Sequence, residues 1–274
     1  MLKQRLITAA VLIPVVVWAI LALPSPVILW LFAAVAGLAA WEWLSLIDIN
    51  STGKKLLSLG LLLLIGIMAG YWVAPVWVLS ISALVWLLAT LVVMIFAHRA
   101  LPARLSQLFR SSWFALLSML LILSGFVISA TLLHSHWQHG PALLLYVLVT
   151  VWLADTGGYF AGKRFGKTKL ATAISPNKTW EGVLGAQVLA MIWALIFFYT
   201  IGGQNLSLAL WLALTAFIVM VSIVGDLLES VFKRCFDKKD SGQLLPGHGG
   251  MLDRVDSLLA AVPIFVGSLV VLGA

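Results

Sequence analysis

Residues 206–229 read LSLALWLALTAFIVMVSIVGDLLE, twenty residues without an ionisable side chain and then Asp226 and Glu229 close to the end of the run. A helix of that length crosses the roughly 30 Å of hydrocarbon in a bilayer, at about 1.5 Å per residue. Eight further apolar runs lie at 6–23, 27–47, 56–73, 76–97, 112–133, 141–162, 182–201 and 251–273. The chain is 62% hydrophobic and 10% charged, whereas soluble domains carry about 25% charged residues. Lipid is therefore its solvent, and the expected fold is all-α: a polytopic membrane protein with about nine transmembrane helices. Lys3 and Arg5 precede the first run, which is too long for a signal peptide and lacks a clean small-x-small cleavage site, so it is read as a retained span. No internal repeat or low-complexity linker divides the chain. The simplest organisation is one membrane domain, 1–274, with N-terminal spans in 1–140 and the later spans and their loops in 141–274.

Lysine and arginine in short loops mark the cytoplasmic side of a membrane protein. They fall here as Lys3 and Arg5; Lys54 and Lys55; Arg99, Arg104 and Arg110; Lys163, Arg164, Lys167, Lys169 and Lys178; and Lys233, Arg234, Lys238, Lys239 and Arg254. An alternating nine-span topology puts all 17 on one side. The opposite connections, PSP at 24–26, YWVAP at 71–75, HSHWQHG at 134–140 and IGGQN at 201–205, contain none. The N-terminus is expected in the cytoplasm and the C-terminus outside. The +7 net charge follows from this orientation and has no recognisable nucleic-acid fold beneath it, so no nucleic-acid partner is expected. A basic face also attracts anionic lipids and nucleotides. The single Cys235 lies in a basic cytoplasmic loop, has no internal disulfide partner and is read as a bystander.

Acidic groups in or beside spans are costly and face a cavity or a partner. Most of the ten acidic residues lie in the C-terminal half. Asp226, Glu229, Ser230 and Lys233 recur at i, i+3, i+4 and i+7, one face of a helix. With the eighth span ending at 229, Asp226 lies roughly 6 Å inside its cytoplasmic end, and Asp253 roughly 4.5 Å inside the start of the ninth. Carboxylates from two antiparallel neighbours thus meet at similar depth, a setting for Mg²⁺, which completes its octahedron with water and substrate phosphates. The segment PGHGG at 246–250 offers unobstructed backbone N–H groups, Gly249 and Gly250 among them, next to a helix N-terminus that suits an anionic phosphate. Interfacial salt bridges to Lys233, Arg234, Lys239 and Arg254 are the plainer alternative for any one of these acids. Their clustering within about thirty residues around a glycine-rich turn favours a site.

Residues 230–256, SVFKRCFDKKDSGQLLPGHGGMLDRVD, resemble the signature of the phosphatidate cytidylyltransferases, also called CDP-diacylglycerol synthases, through Ser230, Lys233, Arg234, Lys239, Asp240, Pro246, His248, Gly249, Gly250, Asp253, Arg254 and Asp256. DTGGYFAGKRFGKTKL from Asp155 and SPNKTWEG at 175–182 are similar to the segment preceding that signature in the same family. The resemblance implies a multi-pass enzyme of phospholipid biosynthesis, commonly a homodimer, that makes CDP-diacylglycerol and pyrophosphate from CTP and phosphatidic acid. It implies Mg²⁺, with Mn²⁺ as a substitute and a monovalent cation such as K⁺ sharing the metal site. The expected location is a bacterial cytoplasmic (inner) membrane, with the active site facing the cytoplasm. On this reading Asp226 and Asp253 are the first metal-ligand candidates and Asp256 the third. Lys178, Lys233, Arg234, Lys239 and Arg254 contact phosphate, while Ser230 and His248 hydrogen-bond substrate or the metal's ligands. Asp155, about seven residues inside the sixth run and followed by Thr156, Gly157 and Gly158, is expected to face a polar cavity, with a structural hydrogen bond to a neighbouring helix as the plainer alternative.

Three other signals are set aside. GKRFGKT at 162–168 has three residues between its glycines where a P-loop needs four. His134, His136 and His139 lie opposite the acidic cluster with no carboxylate to complete a metal set, and are read as solvated loop histidines. Glu42, between Trp41 and Trp43, is read as a snorkelling charge in an interfacial aromatic belt. A transporter is disfavoured because the acids gather toward one face rather than at a midplane between repeats. A CTP-dependent lipid kinase differs in product, releasing CDP.

Overall fold

The computed structural model describes residues 2–242 and 249–274. Among them the chain forms α1 (Leu2–Ala22), α2 (Ser25–Leu46), α3 (Thr52–Trp72), α4 (Pro75–Phe96), α5 (Ala103–Arg110), α6 (Ser112–His136), α7 (Gly140–Phe165), β1 (Lys169–Ala171), β2 (Ser175–Thr179), α8 (Trp180–Thr200), α9 (Leu208–Cys235) and α10 (Leu252–Leu272). Seven of these, α2, α4 and α6 to α10, are long and apolar enough to cross a membrane. Proline opens α2, α4 and α7, where its missing N–H has no intrahelical partner to lose. Gly273, at φ 68, closes α10 in the left-handed conformation.

Three helices outrun the apolar stretches that specify them, α6 by continuing to His136 and two others with a consequence for the basic residues. α7 continues to Phe165 and α9 to Cys235, so Lys163, Arg164, Lys233 and Arg234 sit on helices rather than in loops. Basic side chains in a last helical turn complement the macrodipole, and their long stems cover apolar surface while the charge reaches water. The all-α expectation also has one departure, a short antiparallel hairpin between α7 and α8 with Lys169 opposite Thr179 and Ala171 opposite Ser175. Its tip is held by Ala173 N–H donating to Ala97 O at 3.0 Å. Its base is held by Trp180 N–H donating to Thr168 O at 2.9 Å and Thr168 N–H donating to the Glu181 carboxylate at 3.1 and 3.2 Å. Thr179 Oγ1 then caps α8 by accepting from Gly182 N at 3.2 Å. The hairpin is thereby rigidly tied to three helix ends.

α10 is the axis of the bundle. Two thirds of its membrane window is buried (67%), and it packs against α2, α4, α6, α7 and α9. The main core joins early and late helices through Ile20, Ile28, Phe126, Val147, Trp211 and Leu259. α8 lies along α7, where Gly157 and Gly185 come so close that a Cβ on either would strike the other's carbonyl oxygen; small residues of this kind let membrane helices approach. His134 departs from the sequence expectation: it is buried, its Nε2 donating to Ile20 O at 2.9 Å and its Nδ1 paired with Ser25 Oγ at 2.8 Å. It fastens α6 to the α1–α2 corner. Cys235 is a free, buried thiol.

Candidate metal and phosphate site

The site begins with a close helix crossing. A Cβ at Gly225 would lie 2.6 Å from the Asp256 carbonyl oxygen and 3.1 Å from Ala260 Cβ, so only glycine lets α9 and α10 meet in this antiparallel register. The register sets Asp226 against Asp256, and Asp226, Glu229 and Asp256 each place an oxygen within 4.8 Å of the others. The sequence had matched Asp226 with Asp253 in depth by ending the helix at 229. With α9 continuing to Cys235, Asp226 lies nine residues before its end, roughly 13 Å, while Asp253 occupies the first turn of α10. The depth partner of Asp226 is Asp256.

Asp253 joins the cluster through Lys233, whose Nζ lies 2.6 Å from Glu229 Oε2 and 2.7 Å from Asp253 Oδ1. The side chains of Lys233, Glu229 and Asp253 are only 12%, 4% and 18% exposed, so this bridge is shielded from the screening that makes surface ion pairs weak. Asp253 Oδ2 accepts from Ser241 N at 3.3 Å and Gly250 N at 3.2 Å. Lys178, delivered by β2, lies 2.5 Å from Asp226 Oδ2. Asp155 is exposed on α7, within electrostatic range of Asp226, Lys178, Arg254 and Asp256.

Five carboxylates, Asp155, Asp226, Glu229, Asp253 and Asp256, thus surround three cationic side chains, Lys178, Lys233 and Arg254. Glu229 Oε1 is buried and without a hydrogen-bond partner among the described residues, an open ligand position in an all-oxygen set of the type hard cations prefer. Trp43, Trp86, Phe232 and Leu252 close the apolar side of the cluster, which strengthens every interaction within it. A separate cavity of about 970 Å³ between α4, α9 and α10 is apolar, and none of the cluster's carboxylates lines it.

Of the remaining sequence candidates, Ser230 is half-buried beside Glu229, and Arg234, Lys239 and Arg254 are exposed. Gly249 has φ 86 and Gly250 is buried. Pro246 and His248 lie outside the described residues. Two contributors from α2 were missed. Glu42, 2% exposed, accepts from Leu252 N at 2.8 Å, and its neighbour Trp43 packs on Phe232 with ring centroids 4.8 Å apart rather than in an aromatic belt. Lys238 donates to Ser45 O at 2.7 Å and Leu46 O at 2.8 Å and pairs with Asp48 Oδ1 at 2.8 Å. The only sequence signal for Glu42 was a carboxylate inside an apolar run; nothing local pointed to a partner 210 residues away.

The model of a cytidylyltransferase family matches residues 3–272. The chain is 38% identical over 270 residues to a phosphatidate cytidylyltransferase of Pseudomonas aeruginosa, covering 98% of this chain and 97% of that one. It is 35% identical over 288 residues to the protein of the same name from Haemophilus influenzae, covering 97% of each. It is 45% identical to that of Bacillus subtilis over 126 residues, 46% of each chain.

Proposed function

The chain belongs to the cytidylyltransferase family, and on that premise we propose the reaction and the residues that carry it. The protein is a multi-pass CTP:phosphatidate cytidylyltransferase of phospholipid biosynthesis. A phosphate oxygen of phosphatidic acid attacks the α-phosphorus of CTP; a new P–O bond forms as the bond to the α,β-bridging oxygen breaks, and pyrophosphate leaves with that electron pair. The nucleophile is already an anion near neutral pH, so the barrier lies in bringing several negative charges together. The observation that carries this reading is the convergence of Asp226, Glu229 and Asp256 beside Lys178 and Lys233.

Asp226 and Asp256, with Glu229, are proposed to hold Mg²⁺ or Mn²⁺, and Asp253, across Lys233 in the same pocket, to share a monovalent cation such as K⁺ with them. When bound, the divalent ion supplies charge neutralisation and Lewis-acid polarisation of the phosphates. Lys178, Lys233 and Arg254 neutralise the polyphosphate, and Arg234 and Lys239 extend that field toward the solvent. Gly249 is proposed to offer a backbone N–H group to phosphate, while Gly250 gives its own to Asp253 Oδ2 and so shapes the turn; Ser230 and His248 supply hydrogen bonds, and Asp155 stands across the cluster from them. Purified protein with CTP, phosphatidic acid and Mg²⁺ is expected to give CDP-diacylglycerol by mass and an equal amount of pyrophosphate. CDP with a phosphorylated lipid, or no nucleotide turnover, would overturn the assignment.

We propose further that the chain is a single membrane domain with nine spans, α1 and α3 joining the seven, and that it forms the homodimer common in the family it resembles. The N-terminus and the hairpin then face the cytoplasm of a bacterial inner membrane, and the C-terminus faces outward. Cysteine probes near residues 167 and 240 are expected to label only from the cytoplasmic side; labelling of residue 240 from outside would invert the topology and remove the site from its nucleotide.

A further inference from the structure

Residues from α2 take no part in the chemistry proposed above, yet one of them sits at the base of the site. Glu42 is 2% exposed, and its Oε2 accepts from Leu252 N, the first residue of α10, at 2.8 Å. α10 has no side-chain cap of its own: Met251 at its N-cap position is helical and makes no capping bond. A helix N-terminus leaves N–H groups unpaired and carries partial positive charge, so a carboxylate there stabilises it twice over. The cap for the helix bearing Asp253 and Asp256 therefore comes from a different helix.

Glu42 also touches both strands of chain that flank residues 243–248. A Cβ on Gly242 would come within 2.6 Å of Glu42 Cδ and 2.9 Å of its Cγ; one on Gly250 would come within 2.7 Å of Glu42 Oε2 and 2.9 Å of Asp253 Oδ2. That same Asp253 oxygen accepts from Ser241 N and Gly250 N. The two carboxylates thus grip one knot of backbone, Glu42 from below and Asp253 from the helix. Glu42 Oε1 is buried without a hydrogen-bond partner among the described residues, a cost that a purely space-filling residue would not carry.

We infer that Glu42 is a positioning residue: by capping α10 and seating Gly242 and Gly250, it fixes the axial height of Asp253 and Asp256 against Asp226 and Glu229. The inference rests on the proposed metal site, and its test is built to fail separately from it. Glu42→Ala, Glu42→Gln and Gly242→Ala are compared with the parent protein for kcat per folded molecule, for half-saturating Mg²⁺, and for Mn²⁺ affinity by paramagnetic resonance without substrate. Loss of a partner that orients a metal's ligands typically costs roughly 10–100-fold in affinity or activity. Glu42→Ala is expected to fall in that range for both Mn²⁺ affinity and kcat, with Glu42→Gln, which retains an acceptor oxygen for Leu252 N, restoring most of each. Gly242→Ala should reproduce the defect, and adding it to Glu42→Ala should cost little more, because the clashing carboxylate is gone. Unchanged Mn²⁺ affinity and kcat in folded Glu42→Ala, or a Glu42→Gln defect as large, would overturn the inference. Absence of CDP-lipid from the parent protein would instead defeat the functional reading, leaving the Mn²⁺ comparison to decide on Glu42.

Discussion

Asp256→Asn is expected to lower turnover by roughly 10²-fold or more, the scale of losing one strong electrostatic contact in a transition state, in a protein that still inserts and folds. The carboxylate lies in the triad with Asp226 and Glu229, and the amide is a poorer ligand that leaves the cation less neutralised. Asp226→Asn is expected to match it, although that change also releases Lys178. If both acids hold one ion, removing either disables the centre, so the double variant should be scarcely worse than the more damaging single; residues acting as a unit are non-additive in this way. Losses in log(kcat/KM) that add, across a Mg²⁺ titration, would separate the two roles. Asp253→Asn is expected to be comparably damaging for a different reason, since its carboxylate holds Lys233, Ser241 N and Gly250 N.

Lys233→Met should strip activity and stability together. Lys233 bridges Glu229 and Asp253 with all three side chains largely enclosed, and breaking a buried pair by removing one partner costs about 3–5 kcal/mol, because the remaining charge is left uncompensated. Lys233→Met with Glu229→Gln removes one of those stranded charges, so it should regain much of the thermal stability. It should not regain turnover, because the cation beside the polyphosphate is still missing and the proposed metal has also lost the Glu229 carboxylate. Recovery of activity along with stability would make Lys233 a packing element only.

The apolar runs were legible because lipid leaves the chain few choices: an unbroken twenty-residue stretch such as 206–225 can satisfy its backbone in hydrocarbon only as a helix or in a barrel. The acids of 226–256 were legible for the related reason that charge there has to be matched. Register was not. Whether Asp226 meets Asp253 or Asp256 depends on how far α9 extends past Glu229 and on the contact at Gly225, both set by tertiary packing. The hairpin at 169–179 escaped because its short strands are held by helix ends rather than by an alternating pattern. Glu42 and His134 were misread for one reason: each looks like a span-end polar residue, and each is buried by a helix remote in sequence.

The claim on which the rest depends is that a divalent cation sits between α9 and α10 at Asp226, Glu229 and Asp256. Replacing Mg²⁺ with Fe²⁺ and generating hydroxyl radicals with ascorbate and peroxide cuts the backbone beside the bound ion. Cuts are expected in the neighbourhoods of residues 226–229 and 253–256, with the hairpin near Lys178 the one other segment in reach, suppressed by excess Mg²⁺ and absent from Asp226→Asn with Asp256→Asn. Cuts elsewhere in the chain that Mg²⁺ suppresses, with α9 and α10 left intact, would contradict that claim.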